Sequence, residues 1–264
     1  MGKKDSNFND KIKSGRLVFA ALIAAFLFVG AFATYNLVTI DREYKEAQNE
    51  YEELRIYASG ITRPYSPEDD IKEPQQQDEN EEMTIEHEIM PDLSSINPDY
   101  IGWIRIDGTN VDYPVVQGND NYKYLNTTFR GGNNSSGTIF MDTECDSTFG
   151  SFALLHGHNM RDGSMFGSLH HYLDDSFKLS HPEIIIFPPD ETPLVYTVFA
   201  AKLTNISDTV FLLPTKEHTD IVDYFSAFSF SRRELEDSID LLVLATCTEN
   251  NRNERLLVMA YRKK

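Results

Sequence analysis

The sequence has only two cysteines, Cys145 and Cys247, among its 264 residues. They lie about a hundred residues apart without any Cys-x-x-Cys or Cys/His spacing, which excludes a disulfide framework and a zinc knuckle. Basic residues are also scarce, with 24 Lys and Arg against 42 Asp and Glu and a formal net charge of −18. A nucleic-acid-binding protein needs a positive surface to neutralise phosphates, so this charge argues against that class.

One long run without charge lies near the amino terminus, over residues 17–38. About 20 apolar residues are enough to cross a bilayer as a helix, so we predict a transmembrane signal-anchor helix here. Basic residues outnumber acidic ones in residues 1–16, and the positive-inside rule then keeps this segment in the cytoplasm. A cleaved signal peptide is the alternative, because residues 31–33, Ala-Phe-Ala, have the form of a cleavage site. Both interpretations make the rest of the chain extracytoplasmic.

Most of the negative charge lies just after this run. Residues 41–95 hold 17 acidic and 5 basic side chains. The pattern over 41–57 predicts a helix, and the Pro- and Gln-rich sequence after it has little to bury. We therefore interpret 39–93 as an acidic extracytoplasmic stalk and 94–264 as the working domain.

From residue 94 onward, short strand-forming segments alternate with Asn-Pro, Asp-Gly and Gly turn signals. Helical patterns occur only as insertions, over residues 164–178 with Ser164 as the N-cap, and between residues 215 and 237. The predicted fold is therefore mainly β, a closed or nearly closed barrel. Further strands are expected at Gly137–Met141, Phe152–His156, Glu183–Phe187, Leu194–Lys202, Leu241–Thr246 and Arg255–Tyr261.

Cys247 follows the apolar sequence LLVLAT and precedes the polar sequence TENNRNE. The apolar part predicts an interior strand, which puts the thiol where buried scaffold meets solvent. Catalytic thiols occupy such places, although a free cysteine is also commonly a small buried hydrophobe. His158 follows another apolar strand, and Arg255 opens the strand after the loop. If the two strands pair antiparallel, all three side chains converge at one end of the barrel, where a guanidinium can hold an oxyanion.

Four segments in order resemble the sortases, and among them class B. They are INPDYIGWIRIDGTNVDYPVVQ, SGTIFMD, GHNMRDGSMFG, and a Thr-Cys pair followed eight residues later by Arg. The resemblance covers about residues 94–264. It implies a closed eight-stranded sortase-type β-barrel with inserted helices, and a cysteine transpeptidase that anchors secreted proteins to the Gram-positive cell wall.

The resemblance also implies roles for the three residues, with Cys247 as nucleophile, His158 as general acid/base and Arg255 as the oxyanion or substrate-orienting group. The expected reaction cleaves an NPxT-like carboxy-terminal sorting signal after Thr, through a thioacyl intermediate. The secreted protein that carries the signal is then transferred to an amino group of a lipid-linked peptidoglycan precursor. No cofactor, metal or nucleic acid is expected. A pilin polymerase that uses a substrate Lys, and an inactive extracellular binding barrel, remain as alternatives.

Three further residues are assigned to substrate binding, namely Ala245 and Thr246 before the nucleophile and Glu249 after it. Class B sequences tend to carry Ser at the position of Ala245, and the missing hydroxyl leaves the sorting-signal preference open. They also tend to carry an aromatic residue at the position of His156. An alternative interpretation of Glu249 is a solvated charge in the loop. Arg252 is the alternative to Arg255 as the oxyanion or substrate-orienting group.

Overall fold

The computed structural model describes residues 4–62, 93–189, 192–228, 239–248 and 253–263. The chain divides into two compact units, residues 1–48 and residues 49–264. The α-helices are α1 (Lys4–Thr62), α2 (Leu93–Ile96), α3 (Asp175–Ser180) and α4 (His218–Phe225). The strands are β1 (Tyr100–Arg105), β2 (Asp112–Val116), β3 (Ile139–Met141), β4 (Phe152–His156), β5 (Glu183–Phe187), β6 (Leu194–Asn205), β7 (Ile239–Cys247) and β8 (Glu254–Lys263). Three 3-10 helices lie at Lys123–Leu125, Gly167–Leu173 and Thr209–Thr215.

The first unit consists of the amino-terminal part of α1. Large apolar side chains along it are exposed, among them Phe26 and Phe28. Within the described residues, α1 is the helix that is long and apolar enough to cross a membrane by length and composition. The helix is therefore consistent with the transmembrane anchor predicted over residues 17–38.

The last turns of α1 belong to the second unit. Tyr51 and Leu54 are buried there, and the Tyr51 ring meets Tyr113 of β2 edge-on, with ring centroids 5.2 Å apart. The Nε of Arg55 donates a hydrogen bond to the backbone carbonyl of Asp112 at 3.0 Å. The helical part of the predicted stalk thus overlaps the compact unit, and residues 63–92 of the stalk lie outside the described residues.

The eight strands form a closed barrel in the order β1-β2-β3-β4-β7-β8-β6-β5, with β5 returning to β1. Two neighbouring pairs, β2 with β3 and β4 with β7, are parallel, and the others are antiparallel. A parallel pair needs a long crossover connection. The chain from β4 to β7 supplies one, and α3, α4, β5 and β6 all lie within it. The predicted closed eight-stranded barrel is confirmed.

Strand β7 is buried on both faces, which explains its unbroken apolar sequence. Leu242 and Leu244 are fully buried on one face. On the other face, Leu241 and Val243 join an apolar cluster with residues of α4 and of the 3-10 helix Thr209–Thr215. Because helices pack outside a closed barrel, the odd-numbered residues of β7 face outward. This alternation decides where the side chains at the end of the strand point.

The predicted strands agree closely with those observed, and the bounds of β4 and β5 match the prediction. The predicted helix over 164–178 with Ser164 as its N-cap is wrong. Met165 has a positive φ of 52°, so the chain cannot enter a helix there, and two short helices follow instead. The second of them, α3, is capped by Asp174, whose side chain accepts a hydrogen bond from the Ser176 amide. In the second insertion α4 is present, and residues 229–238 lie outside the described part.

Asp208 connects β6 to the outer helices through its carboxylate. It accepts hydrogen bonds from Lys202 at 2.9 Å, from Tyr224 at 3.0 Å and from the Val210 amide at 2.9 Å, as well as from the Thr204 hydroxyl. Burial alone would raise its pKa, but these donors outweigh burial and lower the pKa to about 2. The carboxylate therefore caps the 3-10 helix Thr209–Thr215 and holds it against the barrel.

Replacing Asp208 with asparagine is expected to lower the free energy of unfolding by about 1–3 kcal/mol at neutral pH. The folded-state pKa of Asp208 lies below its ordinary value of 3.8, so its stabilisation is complete above about pH 4 and is lost as the pH falls toward about 2. Urea unfolding of wild type and Asp208→Asn at a series of pH values checks this. The difference should shrink on acidification, and a constant difference would contradict the account.

Candidate active site

One pocket of about 300 Å³ lies where β4 and β7 end and β8 begins. His158, Cys247 and Arg255 all line it, and all three are partly exposed. The structure therefore brings together the three side chains that the sequence predicts to converge, while their chemical roles stay predictions. The rest of the lining consists of Asn121, Leu125, Phe140, Asp142, His156, Gly157, Ile206, Phe211, Ala245 and Thr246.

Cys247 and Arg255 lie opposite each other on neighbouring strands. The antiparallel register of β7 and β8 pairs the two residues directly. Directly opposed residues in such a ladder have Cβ atoms about 4.5–5.5 Å apart, so the guanidinium side chain begins beside the thiol. An Nη1 hydrogen bond to the backbone carbonyl of Glu254, at 2.9 Å, restrains the guanidinium. A positively charged residue is thus paired directly with a partly exposed cysteine.

His158 follows β4 after Gly157, which the local packing requires to be glycine. A Cβ at Gly157 would lie 2.6 Å from the ring of Phe166. The Nε2 of His158 lies 2.6 Å from the backbone carbonyl of Leu125. A carbonyl oxygen only accepts hydrogen bonds, so Nε2 carries a proton and donates it. The Nδ1 of His158 is therefore the nitrogen left for proton transfer.

Two of the three residues assigned to substrate binding lie in the pocket wall. The hydroxyl of Thr246 donates to the backbone carbonyl of Gly157 at 2.8 Å, and the Gly157 amide donates to the Ala245 carbonyl at 3.2 Å. These bonds tie the end of β4 to the end of β7, so Thr246 positions the segment that carries His158. Substrate contact by Ala245 and Thr246 stays a prediction. Glu249 lies outside the described residues.

A polar cluster that the sequence reasoning did not identify lies at another wall of the pocket. His156 Nε2 is 3.2 Å from a carboxylate oxygen of Asp142, and the amide of Asn121 donates to the same oxygen at 2.9 Å. The His156 ring stacks between Phe140 and Phe211, with centroids 5.1 and 6.4 Å away. The signal in the sequence was Asp142, the acidic residue directly after the segment SGTIFM. Its partners, His156 and Asn121, come from other segments of the chain, so the sequence alone does not show the cluster.

The carboxylate of Asp142 remains charged in this cluster. Burial would raise its pKa, but hydrogen bonds from His156, from the Glu144 amide and from Asn121 together hold the pKa below its ordinary value. The pocket therefore combines an apolar wall with one fixed negative group. Such a combination suits an extended peptide, whose apolar side chains pack while its polar groups find oriented partners.

A protein-family model described as the sortase domain matches residues 104–263, which is more than half of the chain. The chain belongs to the sortase family. This sortase is 34% identical over 134 residues to Sortase B of Listeria monocytogenes serovar 1/2a, across 50% of this chain and 54% of that protein. It is 38% identical over 117 residues to Sortase B of Staphylococcus aureus, across 44% of this chain and 48% of that protein.

The chain thus spans about half the length of the curated relatives it matches. Among solved structures, Clostridium perfringens Sortase B superposes with a TM-score of 0.57 at 29% identity. That match covers 64% of this chain and 96% of the other. The predicted resemblance to class B sortases is confirmed, and the barrel of this sortase is the family's barrel.

Proposed function

We propose that this sortase is a membrane-anchored cysteine transpeptidase of class B. It cleaves an NPxT-like carboxy-terminal sorting signal after Thr and transfers the secreted protein to an amino group of a lipid-linked peptidoglycan precursor. The observation that carries the proposal is the direct pairing of Cys247 with Arg255 in a pocket that His158 also lines. A nucleophile, a proton carrier and a cation at one partly exposed site are what acyl transfer requires.

In the proposed first step the thiolate of Cys247 attacks the carbonyl carbon of the signal's Thr. Negative charge develops on the carbonyl oxygen, and the guanidinium of Arg255 stabilises it through oriented N–H groups. His158 gives its proton to the departing amine as the C–N bond breaks. A thioester to Cys247 remains, which an amine then resolves to a new amide or water resolves to an acid.

The proposed location follows from α1, whose apolar segment supports anchoring in the cell membrane with residues 1–16 in the cytoplasm. The barrel then lies outside the cytoplasm, next to secreted proteins and lipid-linked wall precursors. Holding enzyme and substrates at one membrane raises their effective concentration. Reaction of an impermeant thiol reagent with Cys247 in intact cells tests this orientation, and protection of the thiol in intact cells would contradict it.

Incubation of the full-length protein in detergent micelles with an NPxT-type peptide and triglycine tests the proposed reaction. Mass spectrometry should find cleavage after Thr and a product in which Thr is joined to glycine. Transfer to a lysine side chain but not to triglycine would favour the pilin polymerase. Peptide binding without any cleavage would favour the inactive binding barrel.

Replacing Arg255 with alanine is expected to lower kcat/KM for signal cleavage by about 10²–10³-fold, because a positioned donor to the oxyanion is lost. Lysine at the same position keeps the charge but lacks the planar fork, so Arg255→Lys should recover only part of the rate. Steady-state cleavage of a fluorogenic signal peptide measures both variants. Lys263→Ala, at the far end of the same strand, is the control, and an Arg255→Ala rate within threefold of it would contradict the assigned role.

A further inference from the structure

Tyr51, in the last turns of α1, forms a buried hydrogen bond with the barrel. Its side chain is only 3% exposed, and its hydroxyl donates to the backbone carbonyl of Gly137, two residues before β3. The same hydroxyl lies 3.2 Å from the hydroxyl of Thr138. Burial raises the pKa of Tyr51 above its ordinary value, so the phenol stays protonated and remains a donor. Phenylalanine would serve the packing of the helix equally well, and so the hydroxyl requires a separate explanation.

Gly137 lies near the end of a loop that runs from residue 124 to residue 138, named here the orienting loop. Backbone and side-chain hydrogen bonds tie the end of this loop to its beginning. The amide of Thr138 donates to the carbonyl of Tyr124 at 3.0 Å, and the Thr138 hydroxyl donates to the carbonyl of Thr127 at 2.8 Å. A shift at one end of the orienting loop therefore reaches the other end.

The orienting loop also contains Leu125, whose backbone carbonyl accepts the hydrogen bond from Nε2 of His158 at 2.6 Å. Gly137 packs directly against this carbonyl, because a Cβ at Gly137 would lie 2.8 Å from the Leu125 oxygen. The φ of Gly137 is +58°, a conformation that also favours glycine. One glycine thus connects the hydroxyl of Tyr51 to the carbonyl that orients His158.

A second contact joins α1 to the orienting loop. The backbone amide of Arg130 donates to Oε1 of Glu50 at 2.9 Å, and Nη1 of Arg130 lies 3.1 Å from Oε2 of Glu53. An ion pair this exposed contributes little to stability, but the contact restrains the middle of the loop. The helix α1 therefore holds the orienting loop at a buried point and at an exposed one.

We propose that Tyr51 is a positioning residue for the transfer reaction, because its hydroxyl holds the orienting loop where the Leu125 carbonyl fixes the ring of His158. Tyr51 does not line the active-site pocket, so it acts through the loop and not on the substrate. The proposal rests on the proposed transpeptidase function and adds a requirement for α1. The helix whose amino-terminal part is the predicted membrane anchor thus completes the active site with its last turns.

The physical reason lies in the placement of one nitrogen. Without the Tyr51 hydroxyl, the buried carbonyl of Gly137 loses its donor, and the loop moves toward another partner to avoid the cost of an unpaired polar group. That movement displaces the Leu125 carbonyl and turns the ring of His158. A misplacement of about 1 Å can lower a rate about 10²-fold, so a small shift of the imidazole is enough to slow proton transfer.

Tyr51→Phe in the full-length protein, in detergent micelles, removes the hydroxyl and keeps the ring. We expect kcat for cleavage of the NPxT-type peptide to fall about tenfold and KM to stay within about twofold, because the pocket wall is unchanged. Steady-state cleavage of a fluorogenic signal peptide measures both constants. An unchanged kcat, or a loss that lies entirely in KM, would contradict the positioning role.

Tyr172→Phe is the matched control for this substitution. Tyr172 is also buried, and its hydroxyl also donates to a backbone carbonyl, that of His181 at 2.8 Å, but it lies outside the active-site pocket. Both variants should unfold at a similarly lowered temperature, because each loses one buried hydrogen bond. Only Tyr51→Phe should lose kcat, and an equal loss of kcat in both would overturn the proposal.

A double-mutant cycle with His158→Ala separates positioning from general damage. If Tyr51 acts through the imidazole, then Tyr51→Phe should cause no further loss of single-turnover amine release once that imidazole is absent. A residue that merely stabilises the barrel would lower the rate by the same factor in both backgrounds. About tenfold loss in the His158→Ala background would therefore overturn the proposal.

Glu50→Ala provides a second variant at the surface, where a substitution does not endanger folding. It removes the acceptor of the Arg130 amide, and kcat should fall about threefold for the loss of one exposed hydrogen bond. Glu50→Gln keeps an acceptor oxygen and should recover the wild-type kcat. If Tyr51→Phe does not fold, this pair decides, and equal kcat values for Glu50→Ala and Glu50→Gln would then overturn the proposal.

The outcome also distinguishes this proposal from the function on which it rests. If the wild-type protein forms no thioester with a signal peptide, the proposed function fails. If it forms the thioester and Tyr51→Phe keeps a kcat within about twofold of Tyr172→Phe, the positioning role alone is overturned.

Discussion

Replacing Cys247 with alanine is expected to reduce cleavage of the sorting-signal peptide by at least about 10³-fold, because the reaction then has no nucleophile for covalent catalysis. The other cysteine cannot substitute for it. Cys145 packs against the cluster beneath α4, and burial raises the pKa of its thiol to about 12. A thiol that stays protonated at neutral pH is a poor nucleophile. Fluorogenic peptide cleavage by the full-length protein measures the effect.

Cys145→Ala is the matched control for this loss. It removes the same functional group from a site that does not line the active-site pocket, so cleavage should remain within a fewfold of wild type. Circular dichroism of both variants should match the wild-type spectrum. Substantial cleavage by the Cys247→Ala variant would show that the thiol is not the reacting group.

Replacing His158 with alanine is expected to lower kcat by about 10²–10⁴-fold, which is the usual contribution of a positioned general acid or base. The Leu125 carbonyl orients the ring through Nε2, so the Nδ1 nitrogen is the one positioned for proton transfer. Without it, the departing amine must take its proton from water. Single-turnover measurement of amine release separates this step from resolution of the thioester.

His218→Ala is the control, because that histidine is exposed at the start of α4 and lies outside the active-site pocket. A substrate with a better leaving group, such as an aryl amide, needs less protonation and should lose less rate in the His158→Ala variant. An equal loss for both substrates would contradict the assignment of His158 as general acid.

Much of the site follows from local sequence patterns. The apolar sequence before Cys247 requires a strand buried on both faces, and such a strand must end where the polar loop begins. The strand after the loop then pairs antiparallel with it, which sets Arg255 opposite the thiol. These inferences need only burial, turn length and strand alternation, and so the pairing of Cys247 with Arg255 is predictable. The closed barrel of eight strands was implied by the resemblance to class B sortases.

Other features depend on contacts between distant residues, which local patterns do not reveal. Met165 and Gly167 lie within the predicted helix over 164–178, but Met165 has a positive φ. The backbone carbonyl of Met160 also approaches Gly167 so closely that a Cβ there would lie 2.5 Å from it. The burial of Leu54 depends on the barrel surface, while its sequence neighbourhood is acidic and looks solvated.

The account rests on acyl transfer to one sulfur. Intact-protein mass spectrometry of the full-length protein, quenched in acid during turnover of an NPxT-type peptide, tests it most directly. The account predicts a mass increase equal to the acyl fragment that ends in Thr, located by digestion on the peptide that contains Cys247 and removed by hydroxylamine. Turnover without such an adduct, or an adduct on Cys145 instead, would contradict it.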